Sequence, residues 1–128
     1  MNTKTRILVV DDDPDILGLL ESILRTQGYE VTGASSGPSA LALLRGGLTP
    51  CLILVDLEMP QMSGAELKQE LAQDESLKDI PVVVTSASRE HLDRLHLSIQ
   101  RLGKPFSLSQ LIEIVREHCS PVTKDIGR

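Results

Sequence analysis

Aromatic side chains are nearly absent from this chain: there is no tryptophan, and Tyr29 and Phe106 are its only tyrosine and phenylalanine. The core must therefore be aliphatic, and a 41% hydrophobic content spread over 128 residues is enough for a single domain of helices packed on a sheet. A basic surface is missing too. The formal net charge is −5 and the Lys and Arg residues form no cluster, which disfavours unaided binding to nucleic-acid phosphates. The only cysteines, Cys51 and Cys119, are far apart, so neither a zinc-knuckle spacing nor a disulfide framework is visible, and both are expected as reduced thiols. No apolar run approaches the roughly 20 residues of a membrane span. The short apolar run after Arg6 also falls well below a signal-peptide core, so a soluble, cytoplasmic protein without membrane contact is expected.

What the sequence does contain is an alternation of short apolar runs and helical patterns. Ile7-Leu8-Val9-Val10 is too short for a helix and β-branched enough for a buried strand. Ile16, Leu20, Ile23 and Leu24 then recur at helical spacing up to Gly28, a stop signal. Tyr29 to Ala34 supplies a second strand, and Pro38 to Arg45 a helix that ends at Gly46-Gly47. Leu52 to Val55 is the third strand, followed by a helix opened by a Ser63/Glu66 capping box. Val82 to Thr85 is the fourth. A helix around Arg89 to Leu95 and a weak strand near Ser98 to Leu102 follow, with no Gly or Pro to mark their boundary. Ser107 and Gln110 open the last helix. Continuous apolar strands alternating with amphipathic helices predict a parallel sheet covered on both faces, whose functional groups gather beyond the carboxyl ends of the strands.

Asp11, Asp12 and Asp56 all fall at such strand ends. Converging carboxylates repel and raise one another's pKa values, and a hard divalent cation resolves the conflict; an all-oxygen site with room for water and phosphate suits magnesium. The structural alternative is a solvated acidic turn before a helix capped by Asp13 with Pro14 in its first turn, and for Asp56 an ordinary turn residue. Ser86 ends the fourth strand with a hydroxyl donor, and Lys104 follows the fifth with an ammonium. Taken singly, each also fits a plain turn or surface position. His91, His96 and His118 lie on expected helices and fit solvated or partly buried roles, and Met59 and Met62 fit packing.

Four segments together, ILVVDDDP over Ile7 to Pro14, LVDLEMPQMSG over Leu54 to Gly64, PVVVTSA over Pro81 to Ala87, and Lys104-Pro105-Phe106, resemble the signatures of the response-regulator receiver family, in order, over about Thr5 to Cys119. The resemblance implies an α/β fold: a doubly wound five-stranded parallel sheet of order 2-1-3-4-5, a flavodoxin-like three-layer sandwich. It implies Asp56 as phospho-acceptor, and Asp11, Asp12, Asp56 and the backbone carbonyl of Glu58 as ligands of Mg2+. It also implies Ser86, the backbone of Ala87 and Lys104 as the switch and phosphate-binding groups, and a Lys104-Pro105 bond in cis. The implied donor is a histidine kinase or histidine phosphotransfer protein, and the implied output is altered binding of an unidentified downstream protein, without direct nucleic-acid binding. Such a domain is not an enzyme beyond its own phosphorylation and dephosphorylation.

The chain departs from the family pattern on one side. Arg101 stands where receivers carry an aromatic switch residue, and the stretch between Ser86 and Lys104 is short. Arg101 is therefore expected to stay at the surface, beside a short or irregular fourth helix. Two other functions use the same residues: a pseudo-receiver that only binds partners, and a haloacid-dehalogenase-type phosphohydrolase, for which Asp56-Leu57-Glu58 offers a second carboxyl. The expected domain covers residues 1–119, with 120–128 as a tail or the start of a linker.

Overall fold

The computed structural model describes residues 5–121. Five strands alternate with five helices: β1 (Arg6–Val10), α1 (Pro14–Thr26), β2 (Glu30–Ala34), α2 (Gly37–Arg45), β3 (Leu52–Asp56), α3 (Gly64–Ala72), β4 (Val82–Ser86), α4 (Arg89–Asp93), β5 (Gln100–Gly103) and α5 (Leu108–Arg116). The strands form one parallel sheet of order β2-β1-β3-β4-β5, with Val10 opposite both Ala34 and Val55, and Asp56 opposite Thr85.

Successive residues of a strand face opposite sides, and here both sides are covered. Ile7, Val9, Leu52 and Leu54 pack with Leu20 and Leu24 of α1 and Leu111, Ile112 and Val115 of α5. Leu8, Val10, Ile53 and Val55 pack with Leu41 and Leu44 of α2 and Leu67 and Leu71 of α3. The result is a three-layer sandwich whose central strand, β3, is buried along its whole length. The helix starts follow their sequence signals. Asp13 accepts from the N–H groups of Asp15 and Ile16, Ser36 accepts from Ser39, and Ser63 and Ser107 each close a full capping box.

Two expectations are corrected. Cys51 and Cys119 are not separate thiols: they are joined by a disulfide, and both are buried. Although 68 residues separate them, parallel topology returns the end of α5 to the amino end of β3, where the two Cα atoms lie 5.5 Å apart. This removes the reduced-thiol argument for a cytosolic compartment. Arg101 is not a free surface cation but is half-buried in β5. Its guanidinium donates to the carbonyls of Leu92, His96 and Ile99, so backbone oxygens at the end of a short helix and in the turn after it give it an uncharged hydrogen-bonding seat; Leu92 O and His96 O also accept from the Leu95 and Ile99 N–H groups. That helix, α4, spans only five residues; beyond it Arg94 and Leu95 make tighter bonds to His91 and Leu92, and the chain turns into β5 at Gln100. Of the expected tail, Ser120 and Pro121 belong to no helix or strand, and 122–128 lie outside the described residues. Among the described residues, no helix is long and apolar enough to cross a membrane.

Candidate functional site

The carboxyl ends of β1, β3, β4 and β5 open on one crevice. The strand ladder continues past the formal strand ends through Asp11 N–H to Ala34 O, Leu57 N–H to Thr85 O and Lys104 N–H to Ser86 O, which fixes the backbone from which the polar side chains leave. Carboxylate oxygens of Asp11, Asp12 and Asp56 lie within 4.8 Å of one another. Asp11 and Asp56 are buried, whereas Asp12 is exposed. Asp11 is oriented by the Asp13 N–H, which donates to its Oδ1 at 2.9 Å. On the far wall, Lys104 Nζ is 2.9 Å from Asp11 Oδ2 and 3.5 Å from Asp56 Oδ1. The Lys104-Pro105 bond that precedes α5 is cis.

The electrostatics follow from this crowding. Burial lifts the Asp56 carboxyl from an ordinary 3.8 to about 6; Lys104 opposes the rise, and the charges of Asp11 and Glu58 add to it. For Lys104, burial alone would lower the pKa, but the hydrogen bond to Asp11 and the charges of Asp56 and Asp11 outweigh it and hold the ammonium above the usual lysine value. Three carboxylates facing one ammonium leave the crevice electron-rich. Its donors are all oxygens, with one acid exposed to solvent, so the residues present fit a hard divalent cation such as Mg2+.

The loop after Asp56 is pressed onto the strand. A Cβ on Gly64 would stand 2.8 Å from the Asp56 carbonyl oxygen, so only glycine allows α3 to start here, and Gln61 takes a positive φ of 71° to complete the return.

The structure thus brings together Asp11, Asp12, Asp56 and Lys104. Ser86, buried at the end of β4, instead turns its hydroxyl to the side chain of Glu58, donating to Oε2 at 2.6 Å. Ala87 follows Ser86 in the loop leading to α4 and lines the apolar hollow between α1 and α5 together with Lys104. His91 was not singled out by the sequence as a site residue, yet its Nδ1 lies 2.8 Å from the same Glu58 oxygen. The available signal was Ser88, the N-cap of α4: a residue three positions after a cap lies in the first helical turn, beside the strand ends.

Residues 7–116 match the model of the response regulator receiver domain. The chain belongs to that family. The receiver domain is 36% identical to the probable transcriptional regulator ycf27 of Porphyra purpurea, over 98% of this chain and 53% of that protein. It is also 36% identical to the DNA-binding dual master transcriptional regulator RpaA of Synechocystis, over 87% of this chain and 47% of that protein. The chain thus spans about half the length of these curated relatives. Among solved structures, the response regulator TrrA of Thermotoga maritima, crystallised in complex with Mg2+ and BeF, superposes with a TM-score of 0.79 at 33% identity, covering 88% of this chain and 97% of that one. Receiver domains are signalling modules of two-component response regulators, and this is the class of function the family assigns.

Proposed function

We propose that this receiver domain takes a phosphoryl group onto Asp56, with Mg2+ held by Asp11, Asp12, Asp56 and the backbone carbonyl of Glu58, and thereby changes its affinity for a downstream protein. The observation that carries the reading is the convergence of three carboxylates within 4.8 Å on an ammonium that reaches both Asp11 and Asp56. A carboxylate oxygen of Asp56 attacks phosphorus as the bond to the donor breaks, giving an aspartyl phosphate. Lys104, already 3.5 Å from Asp56, holds a phosphoryl oxygen, and the Ser86 hydroxyl and Ala87 N–H supply hydrogen bonds once the β4–α4 loop draws in. When bound, Mg2+ supplies charge neutralisation on the transferring oxygens. Water later hydrolyses the acyl phosphate, so the domain catalyses only its own cycle.

The donor is a histidine kinase or histidine phosphotransfer protein, which places the domain in the cytoplasm. With a net charge of −5, any effect on DNA passes through an appended domain or a partner. The phosphohydrolase reading loses its second carboxyl, because Glu58 is engaged by Ser86 and His91. The test is intact-mass measurement after incubation with acetyl phosphate and Mg2+. Wild-type protein gains one phosphoryl group and Asp56→Asn gains none, since an amide is a far poorer nucleophile. An unlabelled wild type would favour the pseudo-receiver, and equal labelling of both proteins would reject Asp56.

A further inference from the structure

We propose that Glu58 and His91 form a latch that holds the Ser86 hydroxyl away from Asp56 and couples its release to α4, with His91 as a positioning residue. The proposal rests on the reading that Asp56 is the acceptor and names the device that regulates it.

The argument starts from the single proton of the Ser86 hydroxyl. That proton is donated to Glu58 Oε2 at 2.6 Å, while the oxygen accepts from the Ser88 N–H at 2.9 Å. A hydroxyl with one proton cannot also donate to a phosphoryl oxygen on Asp56, so the Glu58 carboxylate and the incoming phosphoryl group compete for it. The same Oε2 takes His91 Nδ1 at 2.8 Å, and because a carboxylate only accepts, the imidazole carries its proton on Nδ1. One oxygen therefore ties a residue of β4 to a residue of α4.

The tie matters because α4 buries a single side chain, Leu92. A helix of five residues has scarcely passed nucleation and depends on bonds from outside. Its carboxyl end is fastened by Arg101 through the Leu92 carbonyl, the same guanidinium also holding the carbonyls of His96 and Ile99 in the turn that follows. Its amino end is fastened by the Ser88 cap and by His91 on Glu58. The other charges facing His91 do not compete: Arg94 is paired with Glu90 at 3.1 Å, and the remaining neighbours in the shallow hollow around Glu58 are Leu57, Met59, Ser63 and Leu95. The Glu58 charge is felt at Asp56, so a phosphoryl group there repels the carboxylate as it draws off the hydroxyl. Both effects act in one direction. Phosphorylation opens the latch at the first turn of α4 while Arg101 holds the last, and the helix pivots about its carboxyl end. The relay Ser86–Glu58–His91 thus takes the place of a rotating aromatic ring at position 101.

The test combines labelling with amide exchange. Under acetyl phosphate and saturating Mg2+, His91→Ala should label about two- to tenfold faster than wild type, the range one net hydrogen bond supplies. His91→Asn, whose amide N–H can occupy the place of Nδ1–H, should return towards the wild-type rate. In a Ser86→Ala background the His91→Ala acceleration should vanish, because the cycle isolates their coupling. An unchanged rate in His91→Ala, or the same acceleration with and without Ser86, overturns the latch. If no protein labels, wild type included, the acceptor reading fails, and the latch is judged without phosphate. Glu58→Ala, which leaves α4 untouched in sequence, should then speed hydrogen exchange of the His91 and Leu92 amides by a similar factor, and unchanged exchange overturns it.

Discussion

The part of the sheet formed by β2, β1 and β3 and the part formed by β4 and β5 are fastened by different means. In the first, α1 runs from Pro14 to Thr26 and α2 and α3 are full amphipathic helices, so position is set by apolar packing over long elements. In the second, α4 has five residues, buries only Leu92 and is otherwise held by individual hydrogen bonds to Arg101, Ser88 and Glu58. Packing resists small displacements at every point, whereas a few bonds to side chains can be exchanged for others at little net cost. The acids that would hold a cation and receive phosphate stand mostly on the packed part. The hydroxyl that would sense phosphate stands at the border of the other. On the proposed reading, the chemistry would stand on the part set by packing and the response on the part set by exchangeable bonds.

The largest expected effect tests how rigid the packed part is. Reducing the Cys51–Cys119 bond, which closes 68 residues of chain, should lower global stability by about 2–4 kcal/mol in urea denaturation, mainly by freeing the unfolded chain. Hydrogen exchange in α4 should respond no more than exchange elsewhere. A smaller effect is expected from Arg101→Met, which keeps an apolar stem but removes the charged donor that the carbonyls of Leu92, His96 and Ile99 share, leaving Leu92 O and His96 O with their backbone bonds alone. It should cost about 2 kcal/mol and accelerate exchange across α4 and the following turn, with Mg2+ affinity unchanged in a metal titration. An effect confined to global stability would erase the contrast between the two parts.

The smallest effect concerns Asp56 without metal. Its folded pKa of about 6 lies above its ordinary 3.8, so the folded state keeps the proton longer. The stability this group contributes is complete below about pH 4 and is lost as pH rises through about 6. Asp56→Asn should therefore match wild type in the acid range and exceed it by about 1–2 kcal/mol at pH 7–8 in chelator, a gain that shrinks when Mg2+ is added. Denaturation curves at several pH values check the sign.

Legibility in the sequence follows the same division. Runs such as Leu52 to Val55 cannot be mistaken for anything but buried strands once Gly and Pro punctuate them, and a carboxylate following such a run is placed by the parallel topology alone. Between Arg89 and Gln100 there is no such punctuation, so the early end of α4 and the late start of β5 could not be located. The partners of Arg101 are backbone carbonyls, which carry no signature in sequence, and this is why a half-buried, hydrogen-bonded cation was expected free at the surface. His91 meets Glu58 across 33 residues and Cys51 meets Cys119 across 68; both pairings arise only from the return of parallel strands, the first beyond their carboxyl ends and the second at the amino end of β3.

That second pairing has a mechanical consequence. Cys119 lies just past α5, and Cys51 immediately precedes the central strand, with its N–H on the Arg6 carbonyl at 2.8 Å. A pull or twist applied to the chain beyond residue 119 is therefore carried through sulfur into the middle of the sheet, in parallel with the strands, and does not first peel α5 from its seat. The load arrives at the amino edge of β3, and Asp56 is the last residue of that same strand.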